Sequence, residues 1–297
     1  MENKKINFVA IAVVNGANPN GDPSAANSPR VDISGKGEIS DVCIKHKIRM
    51  VLDAMYAENH KAGNAVLLVG GNYGDKREYT IKERIGEFMS LVDGETKKLR
   101  SGADISHELC KNFIDVRCFG TLLAGKVDKE SLSVPITGAV TIQTAKSVQP
   151  IYIAETQITK TMSMEGKEKK SSGADGGKGS DTMGTKYRVD EAAYVIYGTI
   201  DPYMAEKNGV TQEDIEAIKY AIKHMFDLDA SAARPAGTME LKELFWMTHP
   251  SKLGNKSSAA AHRAVKIEAQ TDYPFYKATL NTDALGDIEC EVWNDED

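Results

Sequence analysis

Hydrophobic positions switch between two periods along this chain, and the switches lay out its elements. The unbroken apolar run Phe8 to Val14 predicts a buried strand. The turn formers Asn18-Pro19-Asn20-Gly21-Asp22-Pro23 and Pro29-Arg30-Val31-Asp32 then keep the backbone irregular until Ser40, the expected cap of a helix. Over residues 41 to 59, Val42, Ile44, Ile48, Val51, Leu52 and Met55 recur at helical spacing, which predicts an amphipathic helix. Lys45 and Arg49 stand four apart on one face and are expected to be exposed, whereas Lys47 lies well around the helix from them.

Residues 60 to 130 read as a mostly helical insertion, broken early by Gly70 to Gly74, with helices near Thr80 to Leu91 and Ile105 to Ile114. The β-branched stretch from Val134 to Ile158 predicts two strands, and a second pair is expected at Tyr187 to Val189 and Ala193 to Ile200. Between them, residues 165 to 179 are rich in Lys, Ser and Gly, cannot bury a core, and read as the mobile tip of a protruding hairpin. Thr211 caps a further helix whose Ile215, Ile218, Ala221, Ile222, Met225 and Phe226 form a buried face. Residues 239 to 248 fit a last strand, although their spacing also suits a helix.

Composition changes this picture little. With 297 residues, 41% hydrophobic and 27% charged, the chain can bury a substantial core. It has no apolar run of membrane-spanning length and only a short apolar stretch near its start, so a cytoplasmic location without membrane contact is expected. Cys43, Cys110, Cys118 and Cys290 form no CxxC pair and read as buried thiols. No metal and no cofactor is expected.

The net charge of -6 argues against a polyanion partner, but its distribution weakens the objection. Residues 283 to 297 hold seven acids and no Lys or Arg, leaving 37 basic side chains against 36 acids before them. The acidic end reads best as a solvated terminus. The helix starting at Ser40 offers amide donors, a positive dipole end and Lys45 and Arg49 to a phosphate backbone, with Asn20, Arg30 and His46 next in rank. Arg234 is a further candidate. Arg117, in Asp115-Val116-Arg117-Cys118-Phe119-Gly120, either grips phosphate or a base, or pairs with Asp115 or another acid inside the fold.

The NPNGDP loop, the PRVD element and the SDVCIKHKIR helix start, followed in order by DVRCFG, VPITGAV, TMGTK and YVIYG, closely resemble the backbone subunit of the type I-C CRISPR Cascade complex, in the RAMP superfamily. The resemblance spans most of the chain. It implies one α+β domain over 1–297, a palm of RNA-recognition-motif (ferredoxin-like) type with the 60–130 insertion and a β-hairpin thumb over 145–190. It also implies copies polymerising head to tail along a crRNA, contacts with other Cascade subunits, and target DNA reached through guide pairing. In such a family the thumb crosses the guide and kinks it, which makes Met183, in TMGTK, the preferred wedge over Met162 and Met164.

Some RAMP relatives cleave RNA with a loop aspartate, and Asp22 and Asp32 sit in a comparable part of the chain. No neighbouring acid cluster or paired histidine supports such chemistry, so Asp22 is expected to make an Asx-turn and Asp32 to anchor its loop by accepting backbone hydrogen bonds. His60, His107, His224, His249 and His262 lack metal-like spacing, and no GxSxG or phosphate-loop fingerprint occurs. The expectation is a binder and not an enzyme. The alternatives are a RAMP endoribonuclease and a self-assembling protein without a nucleic-acid role.

Overall fold

The computed structural model describes residues 4–69, 80–159 and 183–295. The chain begins with β1 (Ile6–Ala17), β2 (Gly21–Asp22), β3 (Ser28–Pro29), β4 (Lys36–Ile39) and α1 (Asp41–Asn59). The insertion follows as α2 (Ile81–Gly86), α3 (Gly102–Asn112), α4 (Ile114–Phe119), β5 (Gly120–Val127) and β6 (Glu130–Thr137). Next come β7 (Val140–Ile142), β8 (Ala145–Pro150), β9 (Ile153–Thr159), β10 (Met183–Ile200), α5 (Pro202–Asn208), α6 (Gln212–Lys223) and β11 (Met239–Thr248). The chain closes with α7 (Ser258–Arg263), β12 (Val265–Ala269), β13 (Tyr276–Leu280), α8 (Thr282–Leu285) and β14 (Glu289–Asn294).

Among the described residues eight strands form one antiparallel sheet in the order β14-β11-β1-β10-β8-β4, with β7 and β9 also pairing with β10. β1 is central and buried on both faces, as its unbroken apolar run predicts. Phe8, Ala10, Ala12 and Val14 point to one side, where Ile44, Ile48 and Leu52 of α1 and Ile215, Ile218 and Ile222 of α6 cover them. Val9, Ile11 and Val13 point to the other, under Ala261, Val265, Phe275 and Tyr276. The Phe8 ring stacks on Trp246 at 5.5 Å and occupies the space a side chain would need at Gly198, where an added Cβ would lie 2.0 Å from it.

Two expectations need correction, and one ambiguity is settled. The end of the 60–130 insertion is not helical: β5 and β6 form a hairpin that shares a separate core with Ile105, Leu109 and Phe113. The ambiguous run 239 to 248 is strand β11, selected by its pairing with β1. The acidic end is not simply a solvated terminus, because Glu289–Asn294 forms the edge strand β14, with Glu291 held by Lys219 at 2.6 Å and Asp295 by Lys242 at 3.6 Å. Among the described residues no helix is long and apolar enough to cross a membrane.

Candidate nucleic-acid interface

At the end of β1 the chain leaves the sheet through a loop held by its own amides. Asn18 is buried; its backbone N–H donates to Ala233 O at 2.9 Å and its Nδ2 to Asn27 O at 2.7 Å. Asn20 Oδ1 accepts from Ser40 N at 2.9 Å, so this loop side chain fixes the residue that caps α1. Gly21 sits where the two sides of the loop meet, and a Cβ there would lie 2.1 Å from Asn27 Oδ1, so any larger residue would have to displace the Asn27 side chain.

Asp22 accepts from Ser24 N at 3.0 Å and Ser24 Oγ at 2.7 Å, the Asx-turn its sequence suggests. Asp32 accepts from Ser34 N at 2.8 Å, Lys36 N at 3.1 Å and Lys146 Nζ at 2.8 Å. The Ser24 hydroxyl and amide hold the Asp22 carboxyl below its ordinary range, and Lys146 followed by Ser34 does the same for Asp32. Both are structural anchors of the loop.

The cations divide into two groups. Arg30, Lys47, Arg234 and His46 gather where the loop, α1 and the 229–234 turn meet. Lys47 is buried and pairs with Asp229, and Arg234 Nε lies 2.7 Å from the same carboxylate. The Arg30 side chain is 38% exposed; it lies 3.9 Å from Asp22, and its Nε has no hydrogen-bond partner among the described residues. His46 is exposed on α1, and partial burial together with the Lys47 cation keeps its imidazole below its ordinary pKa. Burial raises the Cys43 thiol within the same cluster.

The remaining candidates turn inward. Lys45 folds back on Asp41 at 3.0 Å. Arg49, expected on the surface with it, is only 8% exposed; its Nε donates to the fully buried Asp115 at 3.1 Å and its guanidinium lies over the Phe119 ring at 5.2 Å. Asp115 also accepts from Leu67 N and Leu68 N, so the pair fastens α1 to the insertion. Arg117 takes the internal alternative, gripping Asp214 with two hydrogen bonds of 2.9 and 2.6 Å and also donating to Gly63 O and Asn64 Oδ1. Lys47 and Asp229 are 182 residues apart, and no local pattern in the sequence pairs them.

The register places these parts together. Ala17 of β1 stands opposite Val189 of β10, the point at which β10 leaves the sheet and runs on beside β9, with Ile153↔Val189 and Thr159↔Met183 as outer pairs. The loop and the exposed hairpin therefore share one end of the sheet. The backbone of Met183 opens β10; its side chain, Met162, Met164 and the expected tip lie outside the described residues. A cleft of about 880 Å³ sits at the opposite end, between α3, β6 and the α5–α6 turn, where Lys61 pairs with Glu213 and Arg117 with Asp214. Among the described residues no group of three or more His, Cys, Asp or Glu could hold a metal ion.

No curated protein matches the chain. It is similar in structure to a chain of a CRISPR RNA-guided surveillance complex, at 15% identity and a TM-score of 0.42, with 82% of this chain and 68% of that one covered. A second similarity is to a chain of a CRISPR RNA-guided surveillance complex in a pre-nicking state, at 15% identity and a TM-score of 0.45, covering 82% and 78%. The sequence itself decides the family, because the model of the CRISPR-associated protein Cas7 family matches residues 4–292. By that match over nearly its whole length, this chain belongs to the Cas7 family.

Proposed function

We propose that this protein is a guide-RNA-binding backbone subunit of a type I-C Cascade, polymerising head to tail along the crRNA and leaving sequence recognition to pairing between guide and target DNA. The observation that carries the reading is the convergence, at one end of the sheet, of the NPNGDP loop, the capped start of α1, the Arg234 turn and the base of the β9–β10 hairpin. An RNA-recognition-type palm is supported by the β11-β1-β10-β8 order with α1 and α6 on one face. The other face is covered by α7, β12 and β13, so RNA in this reading runs across the end of the sheet and not over its surface.

In this reading the protein binds and does not cut. Support comes from Asp22 and Asp32, whose carboxylates are engaged by Ser24, Ser34, Lys36 and Lys146. Arg30 and Lys45, with side chains 38% and 19% exposed, are cations whose removal leaves the buried pairs intact. The double variant Arg30→Glu, Lys45→Glu is expected to weaken crRNA binding by at least roughly tenfold, as loss of charge-assisted phosphate contacts would. Its thermal unfolding should fall by no more than a few degrees, since the two pairs it breaks are partly exposed. Unchanged affinity removes the RNA interface from this end of the sheet.

A further inference from the structure

We propose that Asp229, an acid within the cationic cluster, positions the cations that grip the RNA backbone; the inference rests on the guide-binding reading above. A single carboxylate oxygen, Oδ2, lies within ion-pair distance of both Lys47 Nζ and Arg234 Nε, the second an ionic contact without hydrogen-bond alignment. Lys47 comes from α1, Asp229 from the segment after α6, and Arg234 from the turn in which Ser231 and Arg234 exchange backbone hydrogen bonds. Arg234 also donates to Asn18 O at 3.4 Å, and Ala233 O accepts from Asn18 N at 2.9 Å, so the clasp is tied to the NPNGDP loop.

Exposure separates the roles. The side chains of Lys47 and Asp229 are 2% and 9% exposed, while that of Arg234 is 28% exposed. The buried Lys47 and Asp229 cancel in charge, and Arg234 presents the surplus positive charge to solvent beside Arg30 and the exposed His46. Counting charges alone, an acid here repels phosphate and its removal should tighten RNA binding. Geometry points the other way. Without the carboxylate, Lys47 and Arg234 face each other unscreened, Lys47 is a buried cation without its counter-ion, and Arg234 keeps only its long bond to Asn18 O. A guanidinium held between the Asp229 carboxylate and the Asn18 carbonyl loses less freedom on meeting phosphate than one released into solvent.

The test uses the full chain and a labelled single-stranded RNA oligonucleotide, titrated over a salt series. Asp229→Asn is expected to raise Kd by roughly tenfold despite the more positive charge, as loss of one charge-assisted contact would. It should also reduce the salt slope by about 0.7, the loss of one phosphate contact on a single strand. Asp229→Asn with Lys47→Met removes the orphaned buried cation; it should recover thermal stability without recovering affinity or slope. Equal or tighter binding by Asp229→Asn, an unchanged slope, or recovery of affinity in the double variant would each overturn the positioning role. If wild-type protein does not bind RNA, the guide-binding reading fails first and the inference falls with it; wild-type binding with an unaffected Asp229→Asn variant removes the inference alone.

Discussion

Arg49 and Lys45 stand on one face of α1 but differ in burial, Arg49 being only 8% exposed. On the helix Arg49 stands one turn from Lys45, and by spacing alone both present themselves as surface cations. In the structure Asp115, 66 residues away, meets Arg49 and is itself fully buried. Replacing Arg49 with Ala leaves that carboxylate without its counter-ion, and chemical denaturation should show a loss of about 3 kcal/mol. Lys45→Ala, which breaks a partly exposed pair with Asp41, should cost less than about 1 kcal/mol. Equal effects of the two substitutions would contradict the division of cations into buried fasteners and surface groups. Local signals at this scale were legible where partners are close in sequence: Asp22 with Ser24 and Ser40 with Cys43 follow from turn and cap chemistry. Arg49 with Asp115 and Lys47 with Asp229 do not, because helical spacing gives a face but not what lies against it.

The elements with one clear period were readable before their partners were known. β1, α1 and α6 occupy the predicted segments, and Thr211 forms the capping box with Asp214. β5 was missed because its buried and exposed positions follow no clear alternation, and it is a strand through pairing with β6 over a core built by α3. β14 was missed because acids dominate its sequence; an edge strand tolerates them where Lys219 and Lys242 stand opposite. The layer over the second face carries a pH dependence. His249 is buried and meets Asn7 Oδ1 at 2.7 Å, and His262 is buried on α7 with its Nε2 3.1 Å from Gly198 O. Burial, with Lys5 nearby, lowers both imidazole pKa values below 6.5. Between the lowered folded values and 6.5 the unfolded chain binds more protons, so stability is present above that window and is lost as pH falls through it. Thermal unfolding followed across mildly acidic pH should show this fall, and His249→Gln with His262→Gln should flatten it. A wild-type midpoint that does not move over that range would contradict the assignment.

At the scale of the molecule, the net charge of -6 is unevenly distributed, as the proposed RNA-binding role requires. Part of the acid is drawn into the edge of the sheet at β14, while Arg30 and Arg234 stand at the end where the loop and hairpin emerge. Family membership was legible because its motifs are short turns, caps and strand starts that keep their order along the chain; the cluster around Asp229 was not, because only folding brings its members together. The central claim is that this end of the sheet carries a guide. The most direct measurement is size-exclusion chromatography of the purified protein with a type I-C crRNA over a salt series, following protein and RNA absorbance together and checking the RNA by gel. Co-elution in a defined, salt-sensitive particle larger than one protomer is expected, with the RNA intact. Separate elution of protein and RNA at low salt, or recovery of cleaved RNA, would contradict it.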